Sequence, residues 1–431
     1  MSELTVSSPP SAAPSLWRHR SFLLLWGGQS VSELGSEVTA LVLPLLAVTV
    51  LHASTFAVAM LGLAGRLPFL LLSLPAGVVV DRLRRRTLMI CCDVGRMVLL
   101  ASVPLTAVLR GAVPLWQLYV VAVGVGVLSV FFDVAYQSYL PSLIPHEQLM
   151  DGNGKLGVTA AFAGLVGPSL GGALSGLVGA ARAVAADAAS YAVSVLALGL
   201  IRSPEPRPEP GAARVGFRAA MGEGLSFVVR HPVLRRIVAC TATANLFLAG
   251  LTAVEVVYLI RQLHASTAET GAVLSAGAIG AIVGGALSGR LSRRIGSARI
   301  IWMAMLLPAP LNLLLPLAGP GWGLLLFALG LAQLNASGIL YNTAQVSYRQ
   351  AICPPGLAGR MNASIRWLVW GTLPLGALFG GALGSWAGLH ATVWICSAGA
   401  GLAGFWVLFS PLGRMRDVPR PEADSGALSP A

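Results

Sequence analysis

The chain has 431 residues, of which 55% are hydrophobic and 11% charged, where an average soluble domain carries about 25% charged residues. This excludes a soluble globular fold, which could not hide so much apolar surface, and the net charge of +12 is therefore sought in membrane-flanking loops before it is read as a nucleic-acid surface. Five cysteines at positions 91, 92, 240, 353 and 396 lack metal-ligand or disulfide-framework spacing, and no phosphate-binding loop, zinc-ligand set or Ser–His arrangement stands in register; no cofactor, no metal and no enzymatic chemistry are expected.

After a polar, Pro- and Ser-rich stretch over 1–20, apolar runs long enough to cross a bilayer, about 20 residues each, follow one another. They fall at 21–50, 55–80, 87–109, 114–140, 155–178, 183–201, 234–260, 268–289, 298–317, 322–347, 363–386 and 391–410. None alternates polar and apolar residues as a membrane barrel requires, so the expectation is an all-α polytopic membrane protein of twelve transmembrane helices. No small-residue cleavage site closes the first run, which reads as a retained helix. When alternate loops are assigned to opposite sides, 23 of the 29 Lys and Arg fall on one side and only Arg110, Arg182 and Arg261 on the other. The basic side is the cytoplasmic one by the positive-inside rule, which places both termini in the cytoplasm of a bacterial inner membrane and leaves no role for nucleic acid.

Between the sixth and seventh runs, residues 202–212 form a Pro-rich charged stretch that cannot continue a helix. Beyond it Phe217, Met221, Leu225 and Val228 recur at helical spacing, predicting an amphipathic helix along the membrane surface. The expected organisation is a tail over 1–20, a six-helix bundle over 21–201, a linker over 202–233, a second six-helix bundle over 234–410 and a tail over 411–431. Two internal matches support the two halves. A basic segment containing Gly77, Asp81, Arg82, Arg84, Arg85 and Arg86 repeats 208 residues later as Gly285, Gly289, Arg290, Ser292, Arg293 and Arg294. Independently, the segment from Gly167 to Gly179 aligns without gaps with that from Gly376 to Gly388, at an offset of 209.

The first basic segment resembles the loop between helices two and three of the major facilitator superfamily, Gly-x-x-x-Asp-Arg-x-Gly-Arg-Arg, with Arg84 standing where that family has glycine. The resemblance implies two pseudo-symmetric six-helix bundles, and a gate in which Asp81 meets the start of helix eleven near Asn362 and Arg366. The second copy has Gly289 in place of the acid, so gate chemistry is expected in the first half; otherwise both basic segments serve as topological anchors. Gly164, Gly167, Pro168, Gly171 and Gly172 match the helix-five motif of exporters in that superfamily, although small residues also serve plain close packing. Phe131, Phe132, Asp133, Tyr136, Gln137, Tyr139, Asp187, Ser190, Tyr191 and the run from Gly359 to Asn362 look like the branch that holds enterobactin exporters and macrolide-efflux proteins.

Charge in hydrocarbon is costly, so ionisable residues inside spans are the site candidates. Glu33 and Glu37 are four residues apart on one helix face, which favours proton sharing. Because helices one, four, seven and ten line the cavity in the resembling family, Glu33, Glu37, Asp133 and Glu255 are the coupling candidates; Asp133 could instead balance Arg96. Asp93 and Arg96, three apart, read as a structural pair. Arg66 either binds an anionic group or neutralises Glu37. Asn245, Asn335 and Asn342 are polar cavity candidates that could equally bridge helices. The resemblance thus implies a monomeric secondary-active exporter, a proton antiporter for small amphiphilic compounds such as drugs, macrolides or siderophores. A lipid flippase, an importer on the same bundle, or a transport-inactive sensor or scaffold are the alternatives.

Overall fold

In a computed structural model, residues 16–80, 83–145, 148–202, 225–352 and 358–417 are described. Six long helices make up the first half: α1 (Arg20–Thr49), α2 (Thr55–Val80), α3 (Arg85–Arg110), α4 (Leu115–Leu143), α5 (Leu149–Val178) and α6 (Ala180–Leu200). The second half holds α7 (Pro232–Val257), α8 (Thr267–Ile295), α9 (Arg299–Leu306), α10 (Leu324–Ile352), α11 (Ala358–Trp386), α12 (Leu389–Leu402) and a last short turn, α13 (Phe405–Leu408). The two lead helices start alike: His19 caps α1 by accepting from the Phe22 N–H, and His231 caps α7 by accepting from Val233 and Leu234. Each supplies an acceptor to backbone donors that lack an intrahelical partner.

Among the described residues, eleven helices are long and apolar enough to cross a membrane. The remaining predicted span, 298–317, ninth in chain order, is shorter and broken: α9 ends at Leu306, and a 3-10 segment, Ala309–Leu314, follows. Pro308 and Pro310 explain the break, since proline lacks an N–H and its ring collides with the preceding turn. The second basic segment also departs from expectation. It is not a turn, because α8 runs on through Gly289, Arg290, Arg293 and Arg294 and stops at Gly296, whose φ is 110°. In the first segment, Arg84 occupies the N-cap of α3 in an extended conformation, φ −69° and ψ 114°. Any L-residue adopts that geometry, which is why arginine can replace the expected glycine. Of the predicted surface helix, residues 225–230 are helical with Val228 buried, while Phe217 and Met221 lie outside the described residues.

Apolar cores sit inside each half. Val42, Leu46, Leu100, Leu118 and Tyr191 centre one in the first half, with a second around Phe22, Met89, Phe132 and Tyr139. In the second half Tyr258, Leu315, Phe327 and Cys396 form one cluster and Ile237, Ile301, Tyr341 and Val407 another. Leu41, Leu45 and Val256 join the halves.

The aligned glycines of α5 and α11 perform the same two packing tasks. A Cβ at Gly167 or Gly171 would strike Glu37 or Val38 of α1, and a Cβ at Gly376 or Gly380 would strike the Leu246 or Gly250 carbonyl of α7. The next residue in each copy faces the opposite half: Gly172 abuts the Thr267 carbonyl of α8, and a Cβ on Gly381 would come 2.6 Å from Cβ of Ala59 on α2. Small residues let these backbones approach without intervening side chains. Ser169 and Ser275 hydroxyls, 2.8 Å apart, link α5 and α8 across the same interface, and Arg261 donates to the Ala53 carbonyl at 2.6 Å. These contacts lie in the part of the molecule away from the basic segments.

Candidate functional site

Beneath this seam, α1, α2, α5, α7, α8, α10 and α11 enclose a cavity of about 420 Å³. Glu37 and Arg66 reach it from the first half, and Glu255 and Asn335 from the second. Its remaining wall is apolar or small and includes Pro44, Gly164, Pro168, Thr252 and Gly277. Arg66 is exposed there, and its charge acts on both Glu37 and Glu255. Two carboxylates and one guanidinium in a largely apolar chamber are groups whose charge is tolerated in a membrane because they face a cavity and one another. Gly164 has no atom within 4 Å of where a Cβ would stand, so its contribution is open space at the cavity wall.

The four acidic candidates do not share one chamber. Glu33 lines a separate cavity of about 220 Å³ with Gln29, Tyr136 and Thr159, and accepts from the Gln29 amide at 3.3 Å. One helical turn thus separates Glu33 from Glu37 into different surroundings. Asp133 stands near Arg96, whose charge acts on it together with that of Glu33.

Asn245 and Asn342 lie in a cavity of about 340 Å³ inside the second half, with Asn312, Gln333, Ser337 and Trp370. Asn335 and Leu248 border both this cavity and the central one. Asn312 was not among the sequence candidates. It sits in the 3-10 segment that Pro308 and Pro310 create, which hydropathy reads as a featureless apolar run.

Asp93 and Arg96 form the expected ion pair, buried at 0% and 5% exposure. The structure adds what spacing did not reveal. Ser194 of α6 donates to Asp93 at 2.6 Å, the Arg96 guanidinium lies over the rings of Phe132 and Tyr191, and Ser36 of α1 meets the Tyr191 hydroxyl at 2.8 Å. Asp187, 1% exposed, accepts from Ser190 beside Gly35 of α1. This polar cluster ties α1, α3, α4 and α6 together.

Of the gate residues, Asp81 and Arg82 lie outside the described residues, as do the side chains of Asn362 and Arg366. Arg85 donates to the Ser138 carbonyl near the end of α4 at 3.1 Å, and Arg86 to the Leu198 and Gly199 carbonyls at the end of α6 at 2.7 and 2.6 Å. Both cations meet helix C-termini, where carbonyls and the dipole favour them. Arg290, Arg293 and Arg294 are exposed on the last turns of α8, the dipole-matched end. Close packing does not demand glycine in this region: a Cβ at Gly77 would meet nothing within 4 Å, one at Gly285 only Ile339 at 3.8 Å, and one at Gly289 only Arg293 at 3.6 Å.

The chain is 27% identical over 399 residues to the multidrug efflux pump Tap of Mycolicibacterium fortuitum, covering 89% of this chain and 93% of that protein. It is 22% identical over 386 residues to macrolide efflux protein A of Streptococcus pyogenes, covering 88% and 94%. In three dimensions it is similar to a bacterial homologue of the iron transporter ferroportin in an inward-facing state, with a TM-score of 0.70 at 18% identity over 91% of this chain and 98% of that one. The family described as transmembrane secretion effector, MFS_3, matches residues 11–425. The protein is a multi-pass membrane transporter that belongs to this family of the major facilitator superfamily.

Proposed function

We propose that the protein is a proton-coupled exporter, an antiporter of small amphiphilic compounds that works by alternating access. The observation that carries this reading is that Glu37 and Glu255, one from each half, line a single cavity with Arg66 facing both. A proton bound by either acid changes the charge presented to a substrate, so that proton and substrate compete for one site. The names of the relatives, a multidrug efflux pump and a macrolide efflux protein, support export over import and over a lipid flippase. The glycines of α5 support it too, because they allow α5 and α8 to meet without side chains and to part again.

The basic segments orient the molecule with both termini in the cytoplasm of a bacterial inner membrane. In that orientation the seam between α5 and α8 and between α2 and α11 closes the outer end, and the cavity is approached from the cytoplasm. Asp81 is assigned the complementary task at the inner end, in the opposite state. One chain supplies a whole pathway, so a monomer suffices. The test is efflux of a fluorescent cation from cells that carry the protein, with the proton gradient intact and then collapsed. Gradient-dependent efflux above that of cells lacking the protein supports the reading; equal accumulation in all conditions refutes it.

A further inference from the structure

In the cavity inside the second half, three amides donate to backbone carbonyls, whereas Asn342 accepts from the Gln345 amide through its oxygen at 2.8 Å. Asn245 donates its amide to the Val369 carbonyl at 3.3 Å, Asn335 to the Leu331 carbonyl at 2.9 Å, and Asn312 to the Ser397 carbonyl at 3.4 Å. A backbone carbonyl can only accept, so these contacts fix which end of each amide is the NH₂ group and leave the oxygen as the end available to a partner. Asn312 and Gln333 line this cavity, and their buried amide oxygens have no hydrogen-bond partner. Asn312 is 3% exposed. Buried polar atoms without partners are uncommon and destabilising, and they point to a ligand or water that completes them. Among the described residues no Asp, Glu, Lys or Arg lines this chamber, and Trp370 adds an aromatic wall.

We propose that this chamber is a neutral subsite for the hydrogen-bond-donating part of the transported compound, a segment bearing hydroxyl or N–H groups. The inference rests on the exporter reading above and extends it. Because Asn335 and Leu248 border both cavities, one elongated molecule spans them. Its cationic part lies by Glu37 and Glu255, and its donor-bearing part lies against Asn312 and Gln333. A compound of equal charge and size without donors leaves the amide oxygens unpaired and binds less well, as sites built for hydrogen bonding discriminate against analogues that lack the group.

Two rhodamine dyes make the comparison in proteoliposomes with an imposed proton gradient. Rhodamine 6G carries N–H donors, whereas tetramethylrhodamine ethyl ester has a similar cationic ring system and none. Asn312→Leu and, separately, Gln333→Leu keep side-chain size and remove the acceptor. The expected result is a rise in KM for rhodamine 6G of about tenfold or more, the size of one lost hydrogen bond to a buried group, with transport of the ester retained or improved, since its unpaired acceptor is gone. Retained transport of the ester also reports that each variant is folded, and Gln333→Leu serves if Asn312→Leu is not. Equal losses for both dyes, no change for either, or a wild-type protein that moves the ester but not rhodamine 6G would overturn the subsite. A wild-type protein that moves neither dye removes the exporter reading itself.

Discussion

At the scale of single residues, the central cavity concentrates its chemistry on three charges. Glu37 and Glu255 are only partly buried and share Arg66, so removing one acid alters the proton balance without emptying a packed core. Glu37→Gln should abolish proton-driven accumulation of substrate in inverted vesicles while leaving substrate exchange measurable, and Glu255→Gln should do the same from the other half. Full proton coupling in both variants would move the site to Glu33 or Asp133. Asp93 and Arg96 behave differently because they are buried as a pair. Arg96→Met strands a buried carboxylate, a loss of about 3–5 kcal/mol, and should lower the melting temperature sharply. Adding Asp93→Asn should recover part of it, and a double variant no better than the single one would contradict the pairing. The pair was legible from its three-residue spacing. That Asp187, Ser194 and Tyr191 complete the cluster was not, because α6 is apolar on most faces and its rotation cannot be read from hydropathy.

Elements are set by what their backbones must approach. Gly172 and Gly271 face each other across α5 and α8, with the Thr267 and Pro168 carbonyls where their Cβ atoms would be. Gly172→Val overpacks this seam, at about 1–3 kcal/mol, and under the proposed orientation it loosens the outer closure. It should increase labelling of a cysteine placed at Ala59 by an impermeant reagent added from outside, and unchanged labelling would show that the seam does not close the path. At the end that carries the basic segments, Arg86→Ala removes two donors from the end of α6 and should cost about 1 kcal/mol, read as a lower melting temperature that Arg86→Lys partly restores. The duplicated glycines were legible because their register is kept residue for residue, and the structure gives the two copies corresponding partners, α1 and α8 for α5, α7 and α2 for α11. The shape of the second basic segment was not legible: α8 runs through Gly289 and Arg290 and stops only at Gly296. Nor was the break in α9, where the apolar run hid two prolines that end the helix and turn Asn312 inward.

The molecule as a whole is two bundles that meet through α5 and α8 and through α2 and α11 and hold a charged cavity between them. Its class and its division were readable from composition, loop charge and internal repetition, since each reflects the membrane acting on every residue alike. The division of the polar residues among three cavities was not, because it depends on how each apolar helix is turned about its axis. Under the proposed function, proton movement drives export through the cavity that Glu37 and Glu255 share. The most direct test is purified protein in liposomes with a pH-sensitive dye inside, to which tetramethylrhodamine ethyl ester is added. Substrate-dependent proton movement, absent from Glu37→Gln and Glu255→Gln proteins that still bind the dye, is the predicted result. Transport of the ester at the same rate with and without a proton gradient, in wild type and variants alike, would contradict it.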